Sequence, residues 1–147
     1  MSIKLVIAGC CGRMGQAIAR CALQDSVFVI GAAFEASGHA SLGKDYGTVL
    51  GHPSSLGVSI GHDAKAALSL GDVLIEFTTP EVTVEHARLA QQACRPMVIG
   101  TTGLSEAHVG TLREAAKAIP IVFSPNMSLG VNVLFELAQL AAQRLGV

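Results

Sequence analysis

The feature that most constrains the fold is a three-glycine segment near the start of the chain. Residues 3–8 form an apolar run typical of a buried parallel strand, and Gly9, Gly12 and Gly15 follow it at G-x-x-G-x-x-G spacing, before a helix-like segment. A pyrophosphate needs backbone N–H donors at close range, and glycine lets the backbone approach the anion because it has no Cβ. The positive end of the helix dipole then faces the phosphates. The segment therefore predicts a dinucleotide-binding strand, loop and helix.

An acidic residue follows at the position that dinucleotide-binding folds use to hold a ribose. A second apolar run over residues 27–34 ends in Glu35, twenty residues after Gly15, and a carboxylate there accepts hydrogen bonds from the adenosine ribose hydroxyls. Spaced glycines alone are weak support, since the chain has 16 glycines and many turns need them. With strand, loop, helix, second strand and acid in order, dinucleotide binding is favoured over a turn of purely structural purpose.

The rest of the chain alternates between strand-like and helix-like segments. This alternation predicts an α/β fold with a doubly wound, mostly parallel sheet of the Rossmann type. Three later strands end in small polar segments, at residues 77–80, 100–103 and 124–127. Because ligands bind outside the carboxyl ends of the strands in such a sheet, we expect these segments to converge beside the glycine loop. The polar, glycine-rich stretch from 36 to 57 is expected to be a functional or mobile loop.

Composition limits the classes of protein that the chain fits. Half of the 147 residues are hydrophobic and 14% are charged, which suits one domain whose sheet is covered by helices on both faces. No apolar run approaches the roughly 20 residues that a membrane span needs. The chain enters its first strand without a signal-like segment, so we expect a cytoplasmic protein. A net charge of −1 without a basic cluster predicts neither nucleic-acid nor membrane binding.

The cysteines and histidines show no metal-binding spacing. Cys10 and Cys11 adjoin each other in the glycine loop, whereas Cys21 and Cys94 fall in helix-like segments, and no pair is spaced C-x-x-C. We expect reduced, packed thiols, although Cys10 or Cys11 at a helix N-terminus is also a candidate reactive thiol. The five histidines are scattered, so the sequence predicts no metal site.

Five segments together resemble the bacterial dihydrodipicolinate reductases, also called 4-hydroxy-tetrahydrodipicolinate reductases. They are residues 9–15, Glu35, and residues 77–81, 98–103 and 124–132, and the resemblance runs over essentially the whole chain. It implies an NAD(P)-dependent oxidoreductase of the diaminopimelate route to lysine. In that family a hydride from the nicotinamide reduces a cyclic dicarboxylate, 4-hydroxy-tetrahydrodipicolinate, and the 4-hydroxyl leaves as water to give tetrahydrodipicolinate.

The resemblance also implies which residues bind the cofactor. Residues 9–14 would hold the pyrophosphate and the adjoining ribose, and Glu35 the adenosine ribose. Residues 100–102 would lie along the nicotinamide end, with Thr102 also near the substrate. Residues 124–127 would position the carboxamide and the nicotinamide ring, largely through backbone groups. The implied cofactor-binding residues are Gly9, Cys10, Cys11, Gly12, Arg13, Met14, Glu35, Phe77, Gly100, Thr101, Thr102, Ser124, Pro125, Asn126 and Met127.

Charged residues bear on the form of the dinucleotide. Arg13 fits beside the two phosphates, because its guanidinium compensates charge that backbone dipoles offset only in part. Members of the family often carry a basic residue after the ribose-binding acid, where it meets the 2′-phosphate of NADPH, but here Ala36 follows Glu35. A carboxylate facing a phosphate is repulsive. We therefore predict NADH as the preferred cofactor, with NADPH possible and discrimination weak if Lys44 or His39 substitutes.

The catalytic segment of the family is not found in these 147 residues. The resemblance implies that a catalytic histidine and lysine come from an H-H-x-x-K-type segment of a second domain, and no such segment is present. We expect a cofactor-binding fragment, with a dinucleotide-binding domain over residues 1–130. Residues 131–147 would be the hinge and first helix of a substrate and tetramerisation domain. The fragment should be a monomer or weak oligomer with almost no turnover, whereas the whole enzyme should be a homotetramer.

Two other interpretations stay open from the sequence alone. Another two-domain Rossmann oxidoreductase, such as an amino-acid or semialdehyde dehydrogenase, would share the glycine loop but not the pair of segments at 100–103 and 124–126. A stand-alone NAD-sensing module would bind the dinucleotide and catalyse nothing. A reading frame that continues beyond Val147 into a histidine-lysine segment would favour the reductase, and a chain that ends there would favour the sensor.

Overall fold

Six parallel strands form one sheet in the computed structural model, which describes residues 2–146. The strands are β1 (Ile3–Ala8), β2 (Phe28–Phe34), β3 (Ile60–Gly61), β4 (Val73–Glu76), β5 (Met97–Ile99) and β6 (Ile121–Phe123). The helices are α1 (Arg13–Ala22), α2 (Tyr46–Leu50), α3 (Ala64–Leu68), α4 (Pro80–Gln92), α5 (Glu106–Ala115) and α6 (Leu129–Leu145). This arrangement confirms the predicted fold class. Met1 and Val147, which end the two predicted domain ranges, lie outside the described residues.

The order of the strands places a crevice at one point of the sheet. They lie side by side as β3-β2-β1-β4-β5-β6, and each neighbouring pair is parallel. The order reverses between β1 and β4, and a doubly wound sheet has its ligand crevice outside the carboxyl ends of the strands at such a point. β1 ends directly before Gly9, and β4 ends directly before Phe77. The glycine loop and the β4–α4 loop therefore flank the crevice.

Apolar layers on both faces of the sheet account for the high hydrophobic content. Because side chains alternate along a strand, Val6 and Ala8 of β1 belong to one layer, and Leu5 and Ile7 belong to the other. Buried residues of α3, α4 and α5 complete the first layer, and buried residues of α1 and α2 complete the second. β1 is thus covered on both faces, as its continuous apolar run predicted.

The stretch from 36 to 57 contains a helix, so the prediction of a loop throughout this stretch was wrong. Asp45 caps the start of α2, because its carboxylate accepts a hydrogen bond from the Thr48 N–H at 3.2 Å. Tyr46 is fully buried, and its hydroxyl donates to the carbonyls of Cys10 at 2.8 Å and Gly15 at 3.1 Å. The short helix therefore anchors this stretch to the glycine loop.

The last helix, α6, packs little of its surface. Ser128 caps it, so that it begins at Leu129 rather than near residue 131 as predicted. None of its residues is buried, and Leu134, Phe135 and Leu137 are each more than half exposed.

Across residues 2–146, no helix combines the length and the apolar character needed to cross a membrane.

Candidate functional site

The glycine loop makes a tight turn that requires two of its three glycines. Gly9 has a φ of +58°, which side chains other than glycine rarely adopt. The N–H of Gly12 donates to the Gly9 carbonyl at 2.9 Å and closes the turn. A Cβ added at Gly15 would lie only 2.5 Å from the same carbonyl oxygen. The loop and the first turn of α1 are therefore in close backbone contact.

The two helices that begin at the crevice lack a capping side chain. Gly12 at the start of α1 and Thr79 at the start of α4 make no side-chain capping hydrogen bond. The other four helices are capped by the side chains of Asp45, Asp63, Ser105 and Ser128. First-turn amides have no partner inside their helix, so those of α1 are available to an external acceptor such as a phosphate. Arg13 and Met14, in that first turn, are exposed.

Glu35 lies against the glycine loop. One oxygen of its carboxylate accepts a hydrogen bond from the Cys11 N–H at 2.8 Å, and the other accepts from its neighbour Ala36 at 3.2 Å. The side chain is partly exposed, so its remaining lone pairs are accessible to hydroxyl donors. Two features that are 24 residues apart in the sequence therefore meet at the carboxyl ends of β1 and β2.

A cavity of about 800 Å³ opens beside this pair. Gly9 and Glu35 are the predicted site residues that line it. Its wall also includes residues 62–65 after β3, Thr78 and Thr79 after β4, and one face of α4. Lys65 contributes a cation to this wall, whereas Lys44 and His39 do not line the cavity. Residues 62–65 were not among the predicted site residues, because their place in this wall depends on the pairing of β3 with β2.

A buried carboxylate fixes the β4–α4 loop, and the sequence interpretation missed it. Glu76 is fully buried, and one of its oxygens accepts hydrogen bonds from the N–H and the hydroxyl of Thr78. The other oxygen pairs with Nδ1 of His86, whose ring packs edge-on against Phe34 at 5.1 Å between centroids. A charge is costly to bury unless it is paired. The signal in the sequence was an acid inside an otherwise apolar strand.

Contacts with Phe77 and with α4 hold the loop after β5. A Cβ at Gly100 would overlap the ring of Phe77, so this position requires glycine. Thr101 is buried, and its hydroxyl is 2.7 Å from the hydroxyl of Thr83 on α4. The side chain of Thr102 is exposed. Thr101 therefore ties the loop to α4, and Thr102 is the residue of this pair that solvent reaches.

The loop after β6 is ordered by its own polar groups. The Ser124 hydroxyl donates to the Asn126 carbonyl at 2.7 Å, and the Asn126 side-chain oxygen accepts from the Ser128 N–H at 2.9 Å. Pro125 and Met127 are exposed. Neither this loop nor residues 100–102 line the 800 Å³ cavity. The predicted residues thus fall into two groups along one edge of the sheet, one at β1, β2 and β4 and the other at β5 and β6.

The structure brings together two cysteines and one acid. The Sγ atoms of Cys10 and Cys11 are 3.9 Å apart, and ligand-type atoms of both cysteines and Glu35 all lie within 4.8 Å of one another. Burial raises the pKa of the Cys10 thiol above its ordinary value, and the neighbouring Cys11 and Glu35 raise it further. Cys21 and Cys94 are exposed. Cys94 follows α4 with a φ of 52°, so it lies in a turn and not in the predicted helix.

A family model and the curated relatives of this chain name the same family. The family described as "Dihydrodipicolinate reductase, N-terminus" has a sequence model that matches residues 3–127. A 4-hydroxy-tetrahydrodipicolinate reductase of Aromatoleum aromaticum is 41% identical over 143 residues, which are 97% of this chain and 51% of that protein. One from Magnetococcus marinus is 42% identical over 146 residues, which are 99% of this chain and 54% of that protein. The chain spans about half the length of the curated relatives it matches.

A solved structure agrees with this family. The dipicolinate-bound dihydrodipicolinate reductase of Paenisporosarcina sp. TG-14 is similar to this chain with a TM-score of 0.77 and 25% identity. The match covers 97% of this chain and 54% of that chain. Similarity therefore extends over both groups of predicted site residues.

Proposed function

Since this chain belongs to the dihydrodipicolinate reductase family, we propose that it binds a nicotinamide dinucleotide as the cofactor-binding part of such a reductase. One observation carries the proposal. The glycine loop lies at the β1–β4 reversal with the carboxylate of Glu35 held on it. This family assignment favours the reductase over the amino-acid and semialdehyde dehydrogenases that the sequence also allowed.

The proposed pose runs along the carboxyl edge of the sheet. The pyrophosphate lies against the loop of residues 9–14, where the first-turn amides at the uncapped start of α1 donate to it and Arg13 lies beside it. Glu35 accepts hydrogen bonds from the adenosine ribose, which lies in the 800 Å³ cavity. Residues 100–102 and 124–127, with Phe77, hold the nicotinamide end, where backbone groups of loops fixed by their own hydrogen bonds orient the ring.

We propose NADH as the preferred form of the cofactor. The Glu35 carboxylate would face the 2′-phosphate of NADPH, and Ala36 supplies no compensating charge. Lys65 is the lysine that shares the cavity with Glu35, so any binding of NADPH would depend on Lys65 rather than on Lys44 or His39. Lys65→Ala should therefore weaken NADPH binding more than NADH binding.

The proposed reaction is reduction of 4-hydroxy-tetrahydrodipicolinate in the cytoplasm, within the diaminopimelate route to lysine. The bound nicotinamide supplies a hydride to this cyclic dicarboxylate. The exposed side chain of Thr102 lies at the nicotinamide end, where it would contact the substrate. No H-H-x-x-K segment occurs within the 147 residues, so the histidine and lysine of the family's chemistry are proposed to come from a substrate domain. Residues 131–147 would pack against that domain, and the whole enzyme would be a homotetramer.

Titration with NADH and NADPH, followed by nucleotide fluorescence, tests cofactor binding. Gly12→Ala should weaken NADH binding at least tenfold, about 1.4 kcal/mol, because the added Cβ lies where the pyrophosphate approaches. Gly110→Ala is the matched control, since a Cβ there meets nothing within 4 Å. Absence of binding to either nucleotide would refute the proposal, and tighter binding of NADPH than of NADH would refute the preference.

A turnover assay on the 147-residue chain separates binding from catalysis. We expect NADH to bind while its oxidation in the presence of substrate stays near the uncatalysed rate, because the 147 residues do not contain the H-H-x-x-K segment that the resemblance implies for catalysis. Substantial turnover would contradict the proposal that the catalytic groups come from a separate substrate domain. It would not affect the result on cofactor binding.

A further inference from the structure

We propose that Cys10, Cys11 and Glu35 form a binding site for a thiophilic divalent cation of the Zn²⁺ class, and that this cation and the dinucleotide exclude each other. The cation site stands on the geometry of these three side chains. Mutual exclusion rests additionally on the proposed function, because it requires Glu35 to hold the ribose.

The distance between the two sulfurs fits a single tetrahedral ion, and the Glu35 carboxylate lies close enough to join them. Two thiolates bound at about 2.3 Å to one zinc ion are about 3.8 Å apart in a tetrahedral site, and the two Sγ atoms here are 3.9 Å apart. A carboxylate oxygen of Glu35 lies within 4.8 Å of both sulfurs. Two sulfurs and one oxygen are a ligand set that suits Zn²⁺ and Cd²⁺. The fourth position would be taken by water.

Hydrogen bonds already hold the backbone of Cys10 and the carboxylate of Glu35. The Tyr46 hydroxyl fixes the Cys10 carbonyl at 2.8 Å, and the Cys11 N–H fixes the Glu35 carboxylate at 2.8 Å. Cys10 is buried, whereas Cys11 and Glu35 are partly exposed, so an ion would enter from their side. Preorganised ligands need little rearrangement when the ion binds.

Charge also favours a cation at this point. Within residues 2–146, neither of the ion pairs formed involves Glu35, so no side-chain cation neutralises its carboxylate there. On binding, each thiol would release its proton to water and coordinate as a thiolate, so that two thiolates and one carboxylate surround a divalent ion. Attraction between the ion and these three anionic ligands would offset the cost of deprotonating the thiols.

A cation bound at this site would compete with the ribose for the carboxylate of Glu35. A carboxylate oxygen that coordinates the ion no longer accepts a hydrogen bond from a ribose hydroxyl in the same direction. The ion would also sit beside the loop that approaches the pyrophosphate. Dinucleotide affinity should therefore fall when the ion is bound, and by linkage the ion should bind more weakly to the dinucleotide complex.

Cadmium titration of the reduced protein tests the site directly. The starting protein is the Cys21→Ser/Cys94→Ser double variant, since these two cysteines are exposed elsewhere. We expect a thiolate-to-cadmium charge-transfer band that saturates at one equivalent. Adding Cys11→Ser should weaken binding at least tenfold, and Glu35→Gln should weaken it less. No band in the double variant, or an unchanged band after Cys11→Ser, would overturn the proposal.

A second titration tests mutual exclusion. NADH affinity is measured by fluorescence with and without saturating Zn²⁺ in the double variant, where we expect at least a tenfold loss. In the Cys11→Ser variant the ratio of the two affinities should be close to one, whatever the variant's own affinity. Cadmium binding without any effect of zinc on NADH would overturn the shared use of Glu35. Failure to bind NADH without metal would count against the proposed function alone, because the cadmium band is read independently.

Discussion

Strand β1 and helix α6 are both rich in apolar side chains, yet their burial is opposite. Ile7 in β1 is 0% exposed, whereas Leu137 in α6 is 57% exposed. β1 lies between two strands and under helices on both faces, while α6 contributes no buried residue. Apolar spacing therefore predicted the type of each element correctly, but burial depended on which other elements were present to pack against it.

The largest expected effect compares a leucine of the sheet core with a leucine of α6, each shortened to alanine. Leu74 of β4 is fully buried beneath the same helices as Val6. Leu74→Ala should lower the free energy of unfolding by about 2–5 kcal/mol, because it removes packed atoms and leaves a cavity. Leu137→Ala should change it by less than about 0.5 kcal/mol. Urea denaturation of both variants measures the difference, and equal losses would show that α6 is packed in solution.

Helix capping gives a smaller but sharper comparison. Ser105 caps α5, where its hydroxyl accepts from the His108 N–H at 3.3 Å and the His108 ring accepts from the Ser105 N–H at 3.2 Å. Ser105→Ala should cost about 1 kcal/mol of global stability. Ser128→Ala in α6 should leave global stability nearly unchanged, because this helix can unfold without exposing buried side chains.

Hydrogen exchange distinguishes the two capping variants. Amides of α6 should exchange faster in Ser128→Ala, whereas amides of α5 in Ser105→Ala should change only with the global free energy. A fall in global stability in Ser128→Ala as large as that in Ser105→Ala would contradict the independence of α6.

The smallest effect is acid sensitivity at the start of α2. Desolvation alone would raise the pKa of Asp45, but hydrogen bonds from Ser55, Leu56 and Thr48 outweigh it and lower the pKa below its ordinary value. A carboxyl whose pKa is lower in the folded state contributes stability above its unfolded pKa and loses it as pH falls through the folded value.

Asp45→Asn should therefore reduce the dependence of stability on pH in the acid range. Unfolding free energies of the wild type and the variant, measured from neutral to acid pH, should converge as pH falls. The serine cap of α6 does not titrate, so Ser128→Ala should show the wild-type pH dependence. If the plots of unfolding free energy against pH were parallel for Asp45→Asn and the wild type, the Asp45 carboxylate would not be the source of the acid sensitivity.

Most of the fold could be predicted from local patterns, and so could Gly9 and Glu35 in the wall of the cavity. The strand before Gly9, the Pro80 start of α4 and the Asp63 cap all follow from backbone preferences of a few adjacent residues. The helix at 46–50 was missed because it is a single short turn stabilised by a distant contact of Tyr46. Such a contact leaves no periodic signal in the sequence.

Pairings between distant residues explain the other omissions. Glu76 and His86 are ten residues apart and meet only because α4 folds back over β4. The two adjacent cysteines match no familiar metal-binding spacing, and Glu35 joins them only through the parallel pairing of β1 and β2. A search for spaced ligands along the chain could not find this cluster.

Local sequence patterns were enough to specify the glycine loop, the alternation of strands and helices, and the acid at the end of β2. These follow from backbone freedom, side-chain periodicity and turn chemistry within short segments. The contact of Glu35 with the Cys11 amide, the support of the loop by Tyr46 and the exposure of α6 became visible only in the folded chain. Those outcomes depend on strand order and on which surfaces meet, and local preferences do not encode either.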